Sequence, residues 1–461
     1  MKRRIPAQCA LLLAVLLQLS LLVAVPVAGQ APRPRRIAVF GSSVAFGTGD
    51  ETNKEGYTGL LREILAPRGW EVFNQSRPGD TTKTAATRFT PEGTPVSNVR
   101  YLTTVNPSYV VLALALTNEG ILEAQTTAEK DAVFKQFADG LRGFVERSRQ
   151  NNIVPIVGLV YPRMSYTLVE YGYARRMNLL LNSWDVPSVN LMGALDDGTG
   201  RYVIGFDSDD RHPNAAGHRE LFYSIVPSLF EALEKGKARP SRPAGDVGFA
   251  RVASVGNTPI TFEPEDTMHS FAMGFAVRAQ GDGSVASITG STLAAAVETK
   301  RAGRGAGFES MTLTPDKEFA SAIIVQNGKW SYKPGTGGIA VSQVNADAQW
   351  HQVLLSHYTA RGETLFFVDG KLAGKVSERL QPKRFALGGR QGDYKDLMIY
   401  RSALSADEAA AIASGTLLQA SLEVYAPLAD ARFSADIAPE NRAQSLSVLR
   451  VESGRVAHAA R

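Results

Sequence analysis

The chain has 461 residues, of which 44% are hydrophobic, and this length predicts two domains rather than one ordinary core. The formal net charge is +5, and because the first 30 residues carry three basic and no acidic residues, the remainder carries +2. Such a balance gives no electrostatic basis for nucleic-acid binding, so we expect no nucleic-acid partner. The only cysteine is Cys9, near the N-terminus, so we expect no disulfide in a mature chain.

Residues 1–30 have the pattern of a secretory signal peptide. Basic residues at positions 2–4 precede an apolar stretch, residues 10–25, and small residues at 28–29 offer a cleavage site. The stretch is close to the minimum length of a membrane span, so a retained anchor is the alternative. We favour cleavage because Pro26 breaks the stretch, and we expect a secreted or periplasmic protein with no stable membrane span afterwards. Lipid anchoring is not expected, because the cysteine precedes the apolar stretch.

Residues 31–234 alternate short apolar runs with amphipathic stretches, which predicts parallel strands joined by crossover helices. The predicted strands are Ile37–Phe40, Glu71–Asn74, Tyr109–Leu116, Ile153–Val160 and Ser188–Leu191. The predicted helices are Tyr57–Leu65, Ala128–Gln150, Val169–Leu181 and Ala215–Leu233. The predicted fold class of this domain is therefore a three-layer α/β/α sandwich with a parallel sheet.

Residues 235–248 mix proline, glycine and charge, which predicts a linker. Beyond them, residues 249–461 contain short alternating runs between Gly, Asp and Asn turns, and these indicate an all-β antiparallel sandwich. Its predicted strands include Phe271–Val277, Ala320–Val325, Gln352–His357 and Thr364–Val368. Because residues 422–428 (LEVYAPL) read like an opening strand that occurs late in the chain, we expect the C-terminal segment, residues 420–451, to complete this sandwich beside the strand near Ile260.

Three separated segments carry the reactive groups of the first domain. They are residues 41–47 (GSSVAFG), 117–120 (TNEG) and 209–213 (DDRHP). A serine hydroxyl needs a base to take its proton, and the base needs a partner that fixes its tautomer and stabilises its cation. Because ligands of open α/β sheets collect beyond the carboxyl ends of the strands, these segments are expected at one edge. The set predicts acyl transfer, with ester hydrolysis as the leading hypothesis.

The base is one of two histidines in the first domain. We favour His212, which lies in a loop just before an apparent helix start, over His218, which we place inside that helix as a surface or packing residue. Asp209 lies three residues before His212 and can fold back onto its ring. Asp207 and Asp210 are alternatives that the spacing leaves open.

The oxyanion of a tetrahedral intermediate needs hydrogen-bond donors. The backbone amides of Ser43 and Gly79 and the side-chain amide of Asn118 are the candidates. An ordinary Pro–Gly turn is the alternative at Gly79. Ser42 is an alternative nucleophile to Ser43, and a serine pair after a strand is more often a helix cap or a turn.

The stretch from about residue 37 to residue 230 resembles the SGNH (GDSL-like) hydrolase family. The family's four blocks correspond here to Ser43, Gly79, Asn118 and His212, and Asp209 stands at the family's aspartate position. The last block, DDRHPNAAGH, is the most specific. The resemblance implies a catalytic triad of Ser43, Asp209 and His212, an oxyanion hole of Ser43, Gly79 and Asn118, and no cofactor for catalysis. The spacing from Ser43 to Gly47 matches the family's first block, which favours Ser43 over Ser42.

Two blocks depart from the family pattern. Ser42 stands where the first block usually has aspartate, and Leu116 and Glu119 stand where the third block usually has glycine and aspartate. Neither change removes a catalytic atom. Both bear on the hydrogen bonding of the nucleophile turn and on the width of the acyl pocket.

Four stretches of the second domain are similar to laminin-G-like and concanavalin-A-like jelly-roll domains. They are residues 350–353 (WHQV), 365–371 (LFFVDGK), 387–389 (LGG) and 396–405 (DLMIYRSALS). The Asp-Gly pair at 369–370 is also a strong hairpin signal. The resemblance implies a glycan-binding, structural or adhesive domain, sometimes with calcium, although no acidic cluster here has a spacing that demands calcium. Trp330, Tyr332 and Tyr394 could stack on sugars, but such aromatic residues more often form the core.

These observations predict a secreted serine esterase that removes acyl groups, acetyl among them, from carbohydrate esters while the β-sandwich holds the polymer. Its partner would be an ester-bearing small molecule or polysaccharide. A lipid or general carboxylesterase of the same mechanism is one alternative, and the lack of a long apolar lid argues mildly against it. An exported glycan-binding or adhesion protein with an inactive hydrolase domain is the other.

Overall fold

The structure is a computed structural model that describes residues 34–244, 248–252, 259–279, 281–301, 307–389, 392–429, 433–434, 436–452 and 455–459. The predicted signal peptide lies outside these residues. Residues 35–461 group into one compact unit. Within the described ranges, no helix combines the length and the apolar character that a membrane crossing requires.

The first domain is built on a five-stranded sheet with the spatial order β2-β1-β3-β4-β5, and all its strand pairs are parallel. The strands are β1 Arg36–Gly41, β2 Glu71–Asn74, β3 Tyr109–Ala113, β4 Val154–Gly158 and β5 Ser188–Val189. All five predicted strands are present. Three of them end earlier than predicted, because their last apolar residues leave the sheet and enter buried loops at its carboxyl edge.

Helices cover both faces of this sheet. They are α1 Ser43–Phe46, α2 Gly56–Leu65, α3 Thr82–Ala86, α4 Thr127–Gln150, α5 Leu168–Asn182, α6 Met192–Leu195, α7 Ala215–Tyr223 and α8 Leu229–Glu234. The long helices α4 and α5 each start at a capping box, Thr126 with Glu129 and Thr167 with Glu170. The prediction of one helix over residues 215–233 was wrong, because Pro227, which has no backbone N–H, lies in the turn between α7 and α8.

The alternation of β1 explains the three layers. Ala38 and Phe40 pack in the cluster that α4 and α5 complete, whereas Ile37 and Val39 pack in the cluster that α2, α7 and α8 complete. Because successive strand residues point to opposite faces, a strand that is apolar throughout must be covered on both sides. The predicted α/β/α sandwich is confirmed.

Over the residues that the structure describes, the second domain consists of antiparallel strands in two sheets and one helix. The strands are β6 Phe249–Val252, β7 Ile260–Phe262, β8 Phe271–Arg278, β9 Gly283–Arg301, β10 Gly307–Gln326, β11 Lys329–Lys333, β12 Ala340–Asn345, β13 His351–Tyr358, β14 Glu363–Val368, β15 Lys371–Ser377, β16 Leu380–Leu387, β17 Gly392–Tyr400, β18 Leu422–Ala426, β19 Phe433–Ser434, β20 Arg450–Val451 and β21 Arg455–Ala459, and the helix is α9 Ala406–Ala413. One sheet has the order β12-β11-β10-β9-β16-β7-β20, and the other has the order β15-β14-β13-β8-β17-β6-β21-β19 with β18 beside β17. The predicted all-β class is confirmed.

Two local predictions for this domain hold. Asp369 and Gly370 form the turn between β14 and β15, and both have positive φ, 50° and 73°, as a tight two-residue hairpin requires. Trp330, Tyr332 and Tyr394 are fully buried in the core between the sheets. Their rings are therefore core residues and present no face to a sugar.

The C-terminal segment does complete the sandwich beside the strand at Ile260, but it does so through β20 and not through β18. The segment that contains β18 pairs with β17 and not with the strand at Ile260, which pairs instead with β20. Val424 and Ala426 of β18 pack in the core between the sheets, while Leu422 and Tyr425 pack in the cluster under α9. A strand that is apolar on both faces needs cover on both faces, and the place beside β17 supplies it.

The predicted linker is packed over its described part, residues 235–244. Lys237 Nζ donates hydrogen bonds to the carbonyl oxygens of Asn441 (2.6 Å) and Ser445 (2.7 Å) in the second domain. Gln419 Nε2 donates to the carbonyl of Pro240 at 3.2 Å. These contacts hold the segment against the second domain.

Candidate active site

Ser43 lies at the first position of the short helix α1, directly after β1. The helix ends after one turn because Gly47 adopts a left-handed conformation, φ 94°, and donates to the carbonyls of Ser43 and Val44. A Cβ at Gly47 would lie 2.3 Å from the backbone of Glu55, so only glycine fits there. As the first helical residue, Ser43 keeps a backbone N–H that no carbonyl of its own helix accepts.

Ser42 is turned the opposite way. It is fully buried, its hydroxyl lies 3.2 Å from the phenol oxygen of Tyr161, and its backbone N–H donates to the Ala113 carbonyl. The hydroxyl therefore belongs to the packing behind the nucleophile turn. A substrate cannot reach it without displacing the core.

His212 and Asp209 form a hydrogen-bonded pair in the loop before α7. The ring nitrogen Nδ1 lies 3.0 and 2.9 Å from the two carboxylate oxygens, and Oδ1 also accepts the backbone N–H groups of Arg211 and His212. Burial raises the pKa of the Asp209 carboxyl, but the hydrogen bonds from the His212 ring and these amides outweigh it and lower the pKa below its ordinary value. Because a carboxylate only accepts, Nδ1 carries the proton and Nε2 is left as the acceptor.

The alternative residues for the acid and the base, Asp207, Asp210 and His218, do not take part in this hydrogen-bonded pair. Asp210 is exposed and lies 3.5 Å from Arg211, and Asp207 makes no side-chain contact with the His212 ring. His218 is buried: its Nε2 donates to the Thr48 carbonyl at 3.0 Å, and its Nδ1 accepts from the Tyr57 backbone. Burial lowers the pKa of His218 to about 4, so this ring is a neutral packing residue.

Gly79 and Asn118 come together through the loop that follows β2. Gly79, with φ 80°, occupies the third position of a Pro–Gly turn closed by the hydrogen bond from Asp80 N–H to the Arg77 carbonyl. Asn118 Nδ2 donates to the Asp80 carbonyl at 3.0 Å, which leaves its second amide hydrogen for another acceptor. Gly79 therefore lies in an ordinary Pro–Gly turn, and its backbone N–H stays a predicted oxyanion donor within that turn.

A buried ion pair holds this turn in place. The Asp80 carboxylate is fully buried and binds Arg88, whose side chain is also buried, while the more exposed Arg77 binds the other oxygen. Glu119 accepts the backbone N–H of Thr82, which ties the segment of Asn118 to the same loop. Two of the predicted oxyanion donors therefore share one support.

The residues that depart from the family pattern have structural roles. Leu116 is buried in the core cluster under α4 and α5, so its side chain packs away from the site. Glu119 bridges Thr82 and Gln136 with its two oxygens. Ser42 bonds Tyr161, as described above, and none of the three projects a new group toward Ser43.

The loop of His212 packs against the nucleophile turn. Thr48 N–H donates to the Ser43 carbonyl at 2.9 Å, and a Cβ on the next residue, Gly49, would lie 2.9 Å from the His212 Cβ. No hydrogen bond joins the Ser43 hydroxyl to the His212 ring; both residues are among those described. Such bonds are often long before a substrate binds and shorten in the reacting complex.

Sequence reasoning missed the contribution of the second domain. Strand β10 reaches the His212 loop, where Met311 N–H donates to the Gly205 carbonyl at 2.8 Å and Asn214 Nδ2 donates to the Glu309 carbonyl at 3.2 Å. On β9, Lys300 pairs with Glu51 at 3.3 Å. These partners are far apart in the chain, and no local pattern indicates them.

The calcium prediction for the second domain is not tested. The described residues contain no group of three or more His, Cys, Asp or Glu side chains placed to hold a metal ion.

Comparison with known proteins agrees with this geometry for the first domain. Residues 39–220 match the model of the GDSL-like Lipase/Acylhydrolase family. No curated protein matches the chain. The second domain has no match to a laminin-G or concanavalin-A family model.

Solved structures give partial matches. A putative lipolytic protein of the G-D-S-L family from Desulfitobacterium hafniense is 16% identical, with 41% of this chain and 95% of that one covered and a TM-score of 0.33. A catalytic mutant of an acetylxylan esterase from Geobacillus stearothermophilus is 15% identical, with 41% and 91% covered and a TM-score of 0.31. A pentraxin from Limulus polyphemus is 9% identical, with 47% and 97% covered and a TM-score of 0.30.

Residues 39–220 therefore form a GDSL-like Lipase/Acylhydrolase domain, and the protein is an ester hydrolase through this domain.

Proposed function

We propose that the protein is a secreted serine esterase that deacylates carbohydrate esters, with Ser43 as the nucleophile. The observation that carries the proposal is the Asp209–His212 pair, whose loop packs against the nucleophile turn. Its histidine is 15% exposed and its aspartate 49% exposed, so the pair is accessible from solvent. A substrate can therefore reach this pair from solvent.

The reaction follows from the roles of these groups. The Ser43 hydroxyl attacks the ester carbonyl carbon while His212 Nε2 takes its proton, and Asp209 stabilises the imidazolium that forms. The backbone N–H groups of Ser43 and Gly79 and the free amide hydrogen of Asn118 donate to the oxyanion. His212 then protonates the leaving alcohol, and water hydrolyses the acyl-enzyme by the same steps in reverse order.

The carbohydrate substrate is proposed from the domain arrangement. The predicted export signal would place the enzyme outside the cytoplasm, and the appended β-sandwich resembles domains that bind glycans. With Trp330, Tyr332 and Tyr394 buried, any glycan contact would have to use other residues of that domain. Acetyl is the acyl group that we expect on the substrate.

Ser43→Ala tests the mechanism on a panel of acetylated glycans and short and long acyl esters. We expect the wild type to hydrolyse acetylated glycans and the variant to lose activity by about 10³-fold or more, because the adjacent Ser42 hydroxyl is buried against Tyr161 and cannot take its place. Ser42→Ala is the matched control, since it removes an adjacent hydroxyl of the same chemistry. Equal rates for wild type and Ser43→Ala would refute the mechanism.

Two readouts separate the alternatives. A preference for long acyl chains, with no gain on glycans, would identify a lipid or general carboxylesterase. A fluorophosphonate probe should label the wild type and Ser42→Ala but not Ser43→Ala. Failure to label the wild type would support an inactive hydrolase domain with a binding or adhesive function.

A further inference from the structure

The loop after β4 brings an arginine to the candidate active site. The backbone of Arg163 is held on both sides: its N–H donates to the Gly200 carbonyl at 2.9 Å, and its carbonyl accepts from Tyr166 at 3.1 Å. The next residue, Met164, donates its N–H to the Asp210 carbonyl at 3.2 Å. That last bond joins the loop of Arg163 to the loop that carries Asp209 and His212.

The side chain of Arg163 points to the segment of Asn118. Its Nη1 donates to the hydroxyl of Thr117 at 3.0 Å, and its Nε lies 3.3 Å from the Ser165 hydroxyl. Tyr161, two residues earlier in the same loop, contacts Ser42 behind the nucleophile turn. The loop of Arg163 therefore touches all three segments that supply the catalytic groups.

The charge of Arg163 is not compensated by an acidic side chain. No carboxylate of the described residues lies within 4.0 Å of its guanidinium, and Nη2 makes no hydrogen bond there. Three other arginines at this edge are paired: Arg77 and Arg88 with Asp80, and Arg211 with Asp210. Arg201 donates to the Tyr166 carbonyl and Arg100 to the Asn74 carbonyl, so neither side chain is aimed at the segment of Asn118 as Arg163 is. Asp209, the remaining carboxylate nearby, is held by His212.

We propose that Arg163 binds a carboxylate on the substrate, so that the preferred esters are those whose carbohydrate or alcohol part carries a negative charge. This inference rests on the proposed function. A guanidinium offers a planar set of donors that matches the two oxygens of a carboxylate, and it is always charged. Because Arg163 is partly exposed on a pinned loop, it can meet such a group without first breaking an ion pair.

A pair of small esters tests the proposal with one variable. 4-Acetoxybenzoate and 4-acetoxybenzamide carry the same acetyl group on the same ring, each has a single ester bond, and only the first carries a charge. We expect the wild type to show the higher kcat/KM for the charged ester, and Arg163→Gln to lower the charged-to-neutral ratio by about tenfold or more. Added salt should lower the ratio in the wild type, because it screens the attraction.

Arg211→Gln is the matched control, since it removes an equal charge from the exposed surface of the neighbouring loop. A ratio that is the same in wild type and Arg163→Gln overturns the proposal, while Ser43-dependent hydrolysis of the neutral ester still upholds the proposed function. An equal drop of the ratio in Arg211→Gln also overturns the proposal, because the preference for the charged ester would then come from the overall electrostatic field of the protein. If the wild type hydrolyses neither ester, the proposed function is refuted and this inference with it.

Arg163→Lys keeps the test decisive if Arg163→Gln fails to fold. Lysine keeps the charge but loses the planar fork, so the ratio should fall to an intermediate value and stay dependent on salt. A wild-type ratio that does not change with salt, together with an unchanged ratio in Arg163→Lys, overturns the proposal.

Discussion

Substitution of Asn214, two residues after His212, should both destabilise the protein and slow it. The side chain is fully buried, and its Oδ1 accepts the N–H of Gly217 at 2.9 Å, which caps α7. Its Nδ2 lies within hydrogen-bond distance of three carbonyls, those of Gly205 (2.9 Å), Asp207 (3.2 Å) and Glu309 (3.2 Å). One side chain thus joins the helix, the His212 loop and the second domain.

The expected loss in the free energy of unfolding has two parts, one from the helix cap and one from the hydrogen bonds that the side-chain amide donates. Asn214→Ser keeps a good cap but loses the amide, whose two hydrogens make at most two net hydrogen bonds worth about 1 kcal/mol each. We therefore expect Asn214→Ser to lose about 2 kcal/mol and Asn214→Ala, which also loses the cap, about 3 kcal/mol. Because the same bonds hold the His212 loop, kcat should fall in both variants by about tenfold to a hundredfold.

Urea unfolding and steady-state kinetics on the same preparations measure both effects. Asn214→Ser should lie between wild type and Asn214→Ala in its unfolding midpoint, while both variants should share the loss in kcat. The reasoning is refuted if Asn214→Ser matches the wild type in midpoint and rate. That result would mean that the cap alone accounts for the residue.

Three further predictions concern buried ionisable side chains. Arg88→Met should cost about 3 kcal/mol in a thermal melt because it removes the buried partner of the Asp80 carboxylate and leaves only the more exposed Arg77 paired with it. Adding Asp80→Asn should recover part of that loss, and additive losses would contradict the pairing. Burial raises the pKa of Glu408 to about 7, so the protonated side chain stabilises the fold at low pH and this stabilisation is lost as pH rises from about 4.5 through 7. Glu408→Gln should remove up to about 3 kcal/mol of that pH-dependent loss in the free energy of unfolding. A pH profile that is the same in wild type and Glu408→Gln would contradict the prediction. Burial lowers the pKa of His218 to about 4, so this residue should have the opposite effect: stability should be lost as pH falls from about 6.5 to 4. His218→Asn should remove this dependence of stability on pH in the same melts.

The parts of the fold that could be predicted from sequence are those with local signals. The apolar run of β1 fixes its burial on both faces, and Asp369-Gly370 specifies a hairpin that only residues tolerant of positive φ can form. The Asp209–His212 pair was also predictable in outline, because three residues of spacing lets the carboxylate fold back. The spacing left Asp207 and Asp210 open, the family resemblance favoured Asp209, and the structure shows the hydrogen bonds between Asp209 and the His212 ring.

The parts that could not be predicted depend on contacts between distant residues. The burial of His218 follows from its packing against the start of α2, and the sequence around it is polar. The position of β18 depends on which sheet edge offers cover on both of its faces. Arg163 gave no signal, because its importance lies in the absence of a carboxylate near it and in its contact with Thr117.

The reach of β10 into the His212 loop makes catalysis a property of the joined domains. Gly205 and Asn214 in the first domain take partners from that strand, and the buried pair of Glu220 with His269, 2.8 Å apart, crosses the same boundary. A first domain cut away after residue 234 would lose these partners next to His212, the predicted general base. We therefore expect exchange of the β-sandwich for another accessory domain to disturb the His212 loop unless the new domain supplies equivalent partners.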